Sequence, residues 1–154
     1  MEMKISRLKH RPGITADAKL NEGFLQFEKL LGELRKREIP SGIISTINTE
    51  IEELNTLPDE EKELLKQTKN KQSNIIKLVE KELKIVPKNY YRSTWLLLGM
   101  ATFGLPLGVA FGLVLGNIAL LAIGLPIGMA IGMAVGSGMD KKALEEGRQL
   151  DVEV

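Results

Sequence analysis

The sequence predicts an all-α integral membrane protein in which a cytoplasmic helical bundle is followed by a two-helix transmembrane hairpin. Two observations predict this class: charges are segregated along the chain, and the charged part repeats its apolar residues at helical spacing. The 154 residues include 21 Lys and Arg and 20 Asp and Glu, but none of them lies between Trp95 and Met139. The chain therefore combines a polar helical part with a membrane segment.

The chargeless segment has the right length for two membrane spans. It covers 45 residues, whereas one spanning helix needs about 20. We place the turn at Gly116-Asn117, because this is the most turn-prone pair near the middle of the segment. The spans are then residues 95–115 and 118–138, within a hairpin that covers residues 88–139. A buried hairpin in a soluble protein is the alternative, but the remaining residues are too highly charged to cover it.

Residues typical of a membrane interface flank both spans. Basic flanks and an uncharged turn favour cytoplasmic termini and an external turn under the positive-inside rule. We therefore expect an integral protein of the bacterial inner membrane with both termini in the cytoplasm. The residues assigned to the interface are Tyr90, Tyr91, Arg92, Trp95, Lys141 and Lys142.

The two spans contain a sequence repeat built on glycine. Residues 104–117 align with residues 124–137, and 7 of the 14 aligned positions are identical. In lipid, close approach of backbones over small residues drives helix pairing, so these glycines are expected to pack helices together and to support a homo-oligomer. The predicted packing residues are Gly104, Gly108, Gly112, Gly116, Gly124, Gly128, Gly132 and Gly136.

Folding the hairpin at its turn pairs residues of the two spans. Gly104 then lies opposite Gly128, and Gly108 lies opposite Gly124, so that the two Gly-Leu-Pro motifs meet near the middle of the membrane. This crossing leaves four glycines that are expected to serve a second subunit. They are Gly112, Gly116, Gly132 and Gly136.

The glycine pattern between Gly99 and Gly138 resembles that of the glycine-zipper two-span hairpins, a broad class found in bacterial envelope and mitochondrial membrane proteins. The resemblance implies helix–helix contact and leaves the function open, because the class is broad. Bacterial members that are anchored as lipoproteins carry a lipid-bearing Cys. This sequence contains no Cys, so the resemblance does not imply an outer-membrane lipoprotein role.

Pro106 and Pro126 are predicted to kink the spans, because proline lacks a backbone N–H donor. The carbonyl groups freed at Thr102 and Ala122 either line an ion path, as in the broken helices of transporters, or are satisfied locally. Local satisfaction is the favoured alternative. No side chain within the predicted spans is ionisable, which argues against a proton or sodium motor, a pump or a voltage sensor.

Three further segments surround the hairpin. Residues 1–13 form a basic N-terminal arm, which is expected either to rest on anionic lipid or to remain a flexible end. Residues 14–87 are predicted to form a three-helix, coiled-coil-like cytoplasmic domain, and residues 140–154 a charged cytoplasmic tail that continues the second membrane helix for a turn or two. The domain is small, so its core is either self-contained or completed by other copies.

The three cytoplasmic helices are expected at about Thr15–Arg37, at about Ser41–Asn55, and from the Thr56–Asp59 segment to about Val86. Their apolar residues recur at intervals of three and four, which is typical of a coiled-coil seam. The predicted inward residues are Leu20, Phe24, Phe27, Leu31, Leu34, Ile44, Ile47, Ile51, Leu54, Leu65, Ile76, Val79, Leu83 and Val86.

The sequence predicts no catalytic residue, no cofactor and no metal site. The single His, His10, lies in the arm, and the acidic residues 59–63 suit the positive end of a helix dipole. The net charge of +1 gives no drive toward nucleic acid. We therefore expect a non-enzymatic membrane protein that self-associates through its hairpin and presents the helical domain as a scaffold or binding module for a cytoplasmic protein. The alternative is an oligomeric pore or ion channel, or a membrane-permeabilising effector, gated by the cytoplasmic helices.

Overall fold

The computed structural model describes residues 4–154, apart from the side chains of Thr15 and Ala16. Residues 1–3 of the predicted arm lie outside the described residues. The chain is mostly helical and divides into two compact units, one of residues 1–87 with 150–154 and the other of residues 88–149. The elements are α1 (Ala18–Arg35), α2 (Ser41–Thr56), α3 (Glu61–Leu83), β1 (Val86–Lys88), α4 (Tyr90–Gly99), α5 (Leu105–Val114), α6 (Leu121–Glu145) and β2 (Gln149–Glu153).

The first unit has a core where the apolar stripes of three helices meet. Helix α1 begins after Asp17, whose carboxylate accepts the amides of Lys19 and Leu20 at 2.8 and 3.2 Å. Both α1 and α2 pack against α3. The seam predicted on α1 and α2 is largely confirmed by burial. The fully buried helical side chains include Phe27, Leu30, Leu31, Leu34, Ile47, Ile51, Leu54, Leu64, Ile75 and Val79.

The polar middle of α3 lies inside this core. Thr68 and Gln72 are 0% and 4% exposed, and the Thr68 hydroxyl donates to the Leu64 carbonyl at 2.7 Å. The seam on α3 therefore runs through Leu64, Thr68 and Gln72. Leu65 and Leu83, which were predicted to point inward, are only half-buried, because the buried stripe is displaced from them.

Helix α3 ends at Leu83, before the predicted end at Val86. Lys84 adopts a left-handed conformation with φ 57°, and its amide donates to the Glu80 carbonyl at 2.9 Å. The Ile85 amide donates to the Val79 carbonyl at 3.3 Å, as in a Schellman-type helix end. These bonds satisfy carbonyls of the last turn and redirect the chain into β1.

Strands β1 and β2 form a two-stranded sheet that the all-α prediction missed. The predicted tail continues α6 as far as Glu145 and then enters β2. Leu150 and Val152 alternate with charged residues along β2 and are 1% and 5% exposed. This period-two burial explains the strand, because it places both apolar side chains on one buried face.

Two long apolar helices make up the second unit. The first runs without a break over Tyr90–Val114 as α4, a π-helical turn at Met100–Gly104, and α5. The second covers Ile118–Glu145 as a short 3-10 turn followed by α6. By length and composition, both helices are long and apolar enough to cross a membrane.

The helices are joined at the predicted turn. Gly116 has φ 61°, a left-handed conformation that glycine adopts without the steric cost of a side chain. The Asn117 side chain then accepts the Ala119 amide at 3.0 Å and caps the next helical turn. Both residues therefore have a local structural reason to stand at this position.

Candidate functional site

Buried glycines line the interface between the two apolar helices. Gly104, Gly108, Gly124 and Gly128 are all buried, although the large side chains around them are mostly exposed. A Cβ added at Gly128 would lie 2.6 Å from the Gly104 Cα, and one added at Gly124 would lie 2.6 Å from the Gly108 Cα. Real Cβ atoms do not approach so closely, so the two backbones touch directly at these positions. The structure thus brings Gly104 to Gly128 and Gly108 to Gly124.

Gly132 and Gly136 also lie inside this interface, contrary to the expectation that they would serve a second subunit. A Cβ at Gly132 would meet the Trp95 carbonyl, and one at Gly136 would lie 2.6 Å from the Arg92 Cα. The expectation failed because the crossing was assumed to be short. Contact instead continues from the middle of the hairpin to its open end.

A π-helical turn brings Gly99 into the same interface. Gly99 precedes Gly104 by five residues, which is one too many for the four-residue spacing of the other glycines. The turn at Met100–Gly104 closes with an N–H of Leu105 donating to the Met100 carbonyl, five residues back, and so absorbs the extra residue. A Cβ at Gly99 would lie 2.7 Å from the Gly132 Cα. The four-residue spacing of the other glycines did not predict that Gly99 is the seventh buried glycine of this interface.

Two predicted packing glycines have other surroundings. A Cβ at Gly112 would make only an ordinary contact, 3.6 Å from the Asn117 carbonyl oxygen, and Gly116 lies in the turn. The two predicted kink residues, Pro106 and Pro126, are both exposed. Pro106 occupies the first turn of α5, directly after the π-helical turn, whereas Pro126 lies inside the continuous helix α6.

The open end of the hairpin is held by a buried carboxylate. Asp140 is 7% exposed and accepts the amides of Tyr91 and Arg92 at 3.0 and 2.9 Å. These amides belong to the first turn of α4, where a helix has unpaired donors and a partial positive charge. Asp140 of α6 therefore caps α4 across the hairpin. The sequence analysis missed this role, although Asp140 is the first charge after the chargeless segment.

The predicted interface residues gather at this same end. Tyr90 and Tyr91 make an edge-to-face contact with ring centroids 5.3 Å apart. Arg92 is exposed beside the Asp140 cap, and Trp95 is half-buried one turn further along α4. The remaining two, Lys141 and Lys142, are exposed and lie 3.9 Å from Glu145 and Glu146, respectively.

The outer surface of the hairpin is apolar. In the most apolar 18-residue stretch of each helix, only 17% of the residues are buried. Because glycines occupy the interface, the large side chains project away from it. The exposed ones are Leu97, Leu98, Phe103, Leu105, Val109, Phe111, Leu113, Val114, Leu115, Ile118, Ile123, Ile127, Ile131 and Val135.

In the first unit, the described part of the predicted N-terminal arm packs against the helices. Ile5 is 7% exposed, and the Arg35 guanidinium donates to the carbonyls of Ile5 and Ser6 at 3.3 and 2.7 Å. A free end was one of the two expectations for this segment. Docking was not foreseen, because its partners lie on α1 and α2.

Two asparagines of α2 hold this segment by its backbone. Asn48 and Asn55 each use the side-chain oxygen as acceptor and the side-chain nitrogen as donor, at distances from 2.7 to 3.2 Å. Asn48 and Asn55 are seven residues apart, which corresponds to about 10.5 Å along a helix. Three residues of extended chain, at about 3.3 Å each, span nearly the same distance. The backbone groups are the Ser6 amide and Lys4 carbonyl for Asn48, and the Lys9 amide and Arg7 carbonyl for Asn55.

Arg11 closes the segment against the end of α2. Its guanidinium is buried and donates to the carbonyls of Leu54, Asn55 and Leu57 at 3.1, 3.2 and 2.9 Å. It also pairs with the Asp59 carboxylate. The cation therefore satisfies carbonyls that the helix end leaves free, at the negative end of the helix dipole.

Such contacts shift the pKa values of two ionisable groups among the described residues of the first unit. The hydrogen bond from Lys71 to Glu53 is the largest cause that raises the pKa of Lys71, and Glu50 at 3.2 Å adds to it. The hydrogen bond from Lys36 is the largest cause that lowers the pKa of Glu33, which also accepts the Asp151 amide at 3.3 Å. These groups tie α2 to α3 and α1 to β2.

Within the described residues, no group of three or more His, Asp or Glu side chains is placed to hold a metal ion. No known protein family, curated protein or solved structure matches this chain. The chemistry of the two units is therefore the basis for assigning a function.

Proposed function

We propose that this chain is a non-enzymatic integral membrane protein whose hairpin anchors a helical binding module. The observation that carries the proposal is the inside-out construction of the hairpin, with backbone contacts at its interface and large apolar side chains on its surface. In water, so large an exposed apolar surface is strongly unfavourable. In lipid it costs little, and close glycine packing supplies the helix contact.

We propose that both flanks of the hairpin lie in the cytoplasm of a bacterial cell. The Asp140 cap joins the start of α4 to the end of α6, so both flanks are at one end of the hairpin and Gly116 is at the other. Basic residues occupy the flanked end, whereas the turn carries no charge. The positive-inside rule then favours the flanks on the cytoplasmic side.

The three-helix unit is proposed to act as the binding module or scaffold for a cytoplasmic protein. Its core is complete within one chain, with Phe27, Ile51 and Val79 each 0% exposed. A module with its own core does not need other copies to fold. This favours the self-contained alternative of the sequence analysis over oligomer-assisted packing.

We include homo-oligomerisation in the proposal, with a contact different from the one first expected. Seven glycines are covered inside the hairpin, so a glycine-zipper contact between subunits would use Gly112 and the outward side chains around it. Replacing Gly112→Leu should lower the oligomer mass measured by light scattering in detergent. Gly138→Leu is the matched control, because Gly138 also has space for a side chain. An unchanged mass in Gly112→Leu would remove Gly112 from the contact.

The pore or channel is the less supported alternative. Between Trp95 and Met139 the polar side chains are Thr102, Asn117 and Ser137, which do not form a continuous lining along either helix. The Thr102 hydroxyl donates to the Leu98 carbonyl at 2.6 Å, a local bond of the kind that satisfies irregular helices in membranes. An anchor requires neither a polar lining nor a gate.

Membrane extraction tests the anchor. Cells expressing the full chain should retain it in the membrane pellet after washing with alkaline carbonate and with urea, and detergent should release it. The matched control replaces residues 88–149 by a short flexible linker, which removes the hairpin but keeps residues 150–154 with the first unit, and this chain should appear in the soluble fraction. Release of the full chain by carbonate alone would reject the integral anchor.

A further inference from the structure

The first unit contains a cleft where the docked N-terminal segment meets the α1–α2 connection. The cleft has a volume of about 1000 Å³. Its walls come from the N-terminal segment, the end of α1 and the first turn of α2. Pockets of about 300 to 1,000 Å³ are the size that small ligands occupy, so the cleft can receive a ligand with several charged groups.

Positive charge dominates the lining of this cleft. Among the described residues that line the cleft, the cations are Lys4, Arg7, Arg35 and Arg37, and the carboxylate is that of Glu38. Arg35 is partly neutralised, because its guanidinium pairs with Glu28 at 2.8 Å. Among the described residues, and leaving Arg37 and the Arg35–Glu28 pair out of the count, Lys4 and Arg7 against Glu38 leave one positive charge in excess around the cleft.

The start of α2 adds to this positive field. Ser41 lines the cleft and is the first residue of α2. Among the described residues, no side chain caps the first amides of this 16-residue helix, and its first turn contains no acidic residue. The positive end of a helix dipole favours an anion, and the Ser41 hydroxyl can donate a hydrogen bond to it.

The hydrogen bonds from Asn48 and Asn55 fix the backbone that carries two of the cations. Asn48 binds the Lys4 carbonyl at 3.0 Å, and Asn55 binds the Arg7 carbonyl at 3.2 Å. Because these hydrogen bonds use backbone groups, the side chains of Lys4 and Arg7 are not needed to hold the segment, and both are exposed. The docked segment therefore places both cations at the rim of the cleft, and neither of these side chains is needed to hold the segment in place.

We propose that this cleft binds a phosphate-bearing anion, with Lys4 and Arg7 closing over the phosphate and Ser41 donating to it. Arg and Lys are the side chains best suited to phosphate oxygens, through charge-assisted hydrogen bonds. The phosphate comes either from a soluble phosphorylated compound or from the headgroup of an anionic lipid. The soluble arm of the proposal does not depend on membrane insertion.

Calorimetric titration of the full chain in uncharged detergent micelles with inorganic pyrophosphate tests the cleft. Saturable binding is expected, and Lys4→Gln with Arg7→Gln should weaken it about tenfold or more, since two charge-assisted contacts are lost. The matched control is Lys62→Gln with Lys66→Gln, which removes the same charge from exposed positions on α3 and should change the affinity by less than about twofold. Thermal melts should show that both double variants keep the fold, because none of the four side chains is buried.

Lipid bilayers distinguish the two sources of phosphate. In phosphatidylcholine nanodiscs that contain phosphatidic acid, a cleft filled by lipid headgroups would bind pyrophosphate more weakly than in pure phosphatidylcholine. The Lys4→Gln and Arg7→Gln variant should lose that difference. Equal affinity in both nanodiscs would assign the cleft to a soluble phosphate. Absence of saturable pyrophosphate binding, or equal weakening in the Lys62 and Lys66 control, would overturn the proposal.

Discussion

Asp140 shows how one residue can define the end of the apolar hairpin. It stands where the chargeless segment stops, and its carboxylate caps the first turn of α4 through the Tyr91 and Arg92 amides. A buried carboxylate is tolerable only when hydrogen bonds replace its hydration. Its two backbone donors provide that replacement, so Asp140 marks the boundary and fastens both helices at once.

Replacing Asp140→Ala should destabilise the hairpin by about 1 to 2 kcal/mol, because two helix-start amides lose their acceptor. The free energy of unfolding, measured by denaturant titration in detergent, checks this value. Glu145→Gln is the matched control, because Glu145 is exposed on the same helix and only its charge is removed. Equal stability of Asp140→Ala and the wild type would contradict the cap.

Glu33 accepts hydrogen bonds from Lys36 and from β2 that favour its ionised form. Its hydrogen bonds from Lys36 and from the Asp151 amide hold the pKa of Glu33 below its ordinary value of 4.5. A lowered pKa in the folded state means that the contribution to stability is complete above 4.5 and is lost as the pH falls through the lowered pKa. The stability advantage of the wild type over Glu33→Gln should therefore shrink with acidification below 4.5. A difference that does not vary with pH would contradict the lowered pKa of Glu33.

At the scale of elements, the sequence predicted the helices well where their periodicity is local. The seam from Leu20 to Leu54 is largely buried, because each residue is placed by its own helical turn. Elements that depend on distant partners were not predicted. The docked arm needs Asn48 and Asn55, which resemble ordinary surface residues of α2, and β2 needs β1. Alternation of Leu150 and Val152 with charges was the available signal for β2.

The sequence predicted the glycine interface only in part. Spacing by fours pointed to the right residue type, but it could not reveal how far the contact extends. Gly99 does not fit the four-residue spacing, and the π-helical turn at Met100–Gly104 is what places it in the interface. Such a turn depends on the partner helix, so a single span does not predict it.

Gly132→Leu and Gly112→Leu should separate interface glycines from peripheral ones. The first inserts a side chain against the Trp95 carbonyl and should destabilise the hairpin by about 2 to 3 kcal/mol through overpacking. The second places its Cβ at an ordinary contact distance, 3.6 Å from the Asn117 carbonyl oxygen, so within one hairpin it should cost less than about 1 kcal/mol, since replacing glycine also favours the helix. Titration at several protein concentrations separates this effect from loss of the proposed subunit contact. Denaturant titration in detergent measures both. Similar losses in both variants would contradict the described interface.

Asn48→Ala with Asn55→Ala should release the N-terminal segment. The two side chains make four hydrogen bonds to its backbone, each with a net value of about 0.5 to 1.5 kcal/mol. Hydrogen exchange at the Ser6 and Lys9 amides should accelerate, while exchange in the core of α3 should not. Asn70→Ala, at an exposed position of α3, is the control. Unchanged protection of Ser6 and Lys9 would show that other contacts hold the segment.

At the scale of the whole molecule, the chain consists of two units with opposite designs. The first buries its large apolar side chains in a core, whereas the second buries glycines and exposes its large apolar side chains. In the proposed anchor, this difference corresponds to two different solvents. Water suits the first and lipid the second, which is the physical basis of the proposed membrane anchor.

Single-cysteine labelling tests this central claim most directly, because the chain contains no Cys of its own. Asn117→Cys marks the turn and Lys62→Cys marks the three-helix unit, and a membrane-impermeant maleimide is added to intact bacterial spheroplasts expressing each variant. The account predicts labelling at position 117 without lysis, and labelling at position 62 only after lysis. Labelling of both positions, or of neither, in intact spheroplasts would contradict a hairpin that crosses the membrane with both flanks in the cytoplasm.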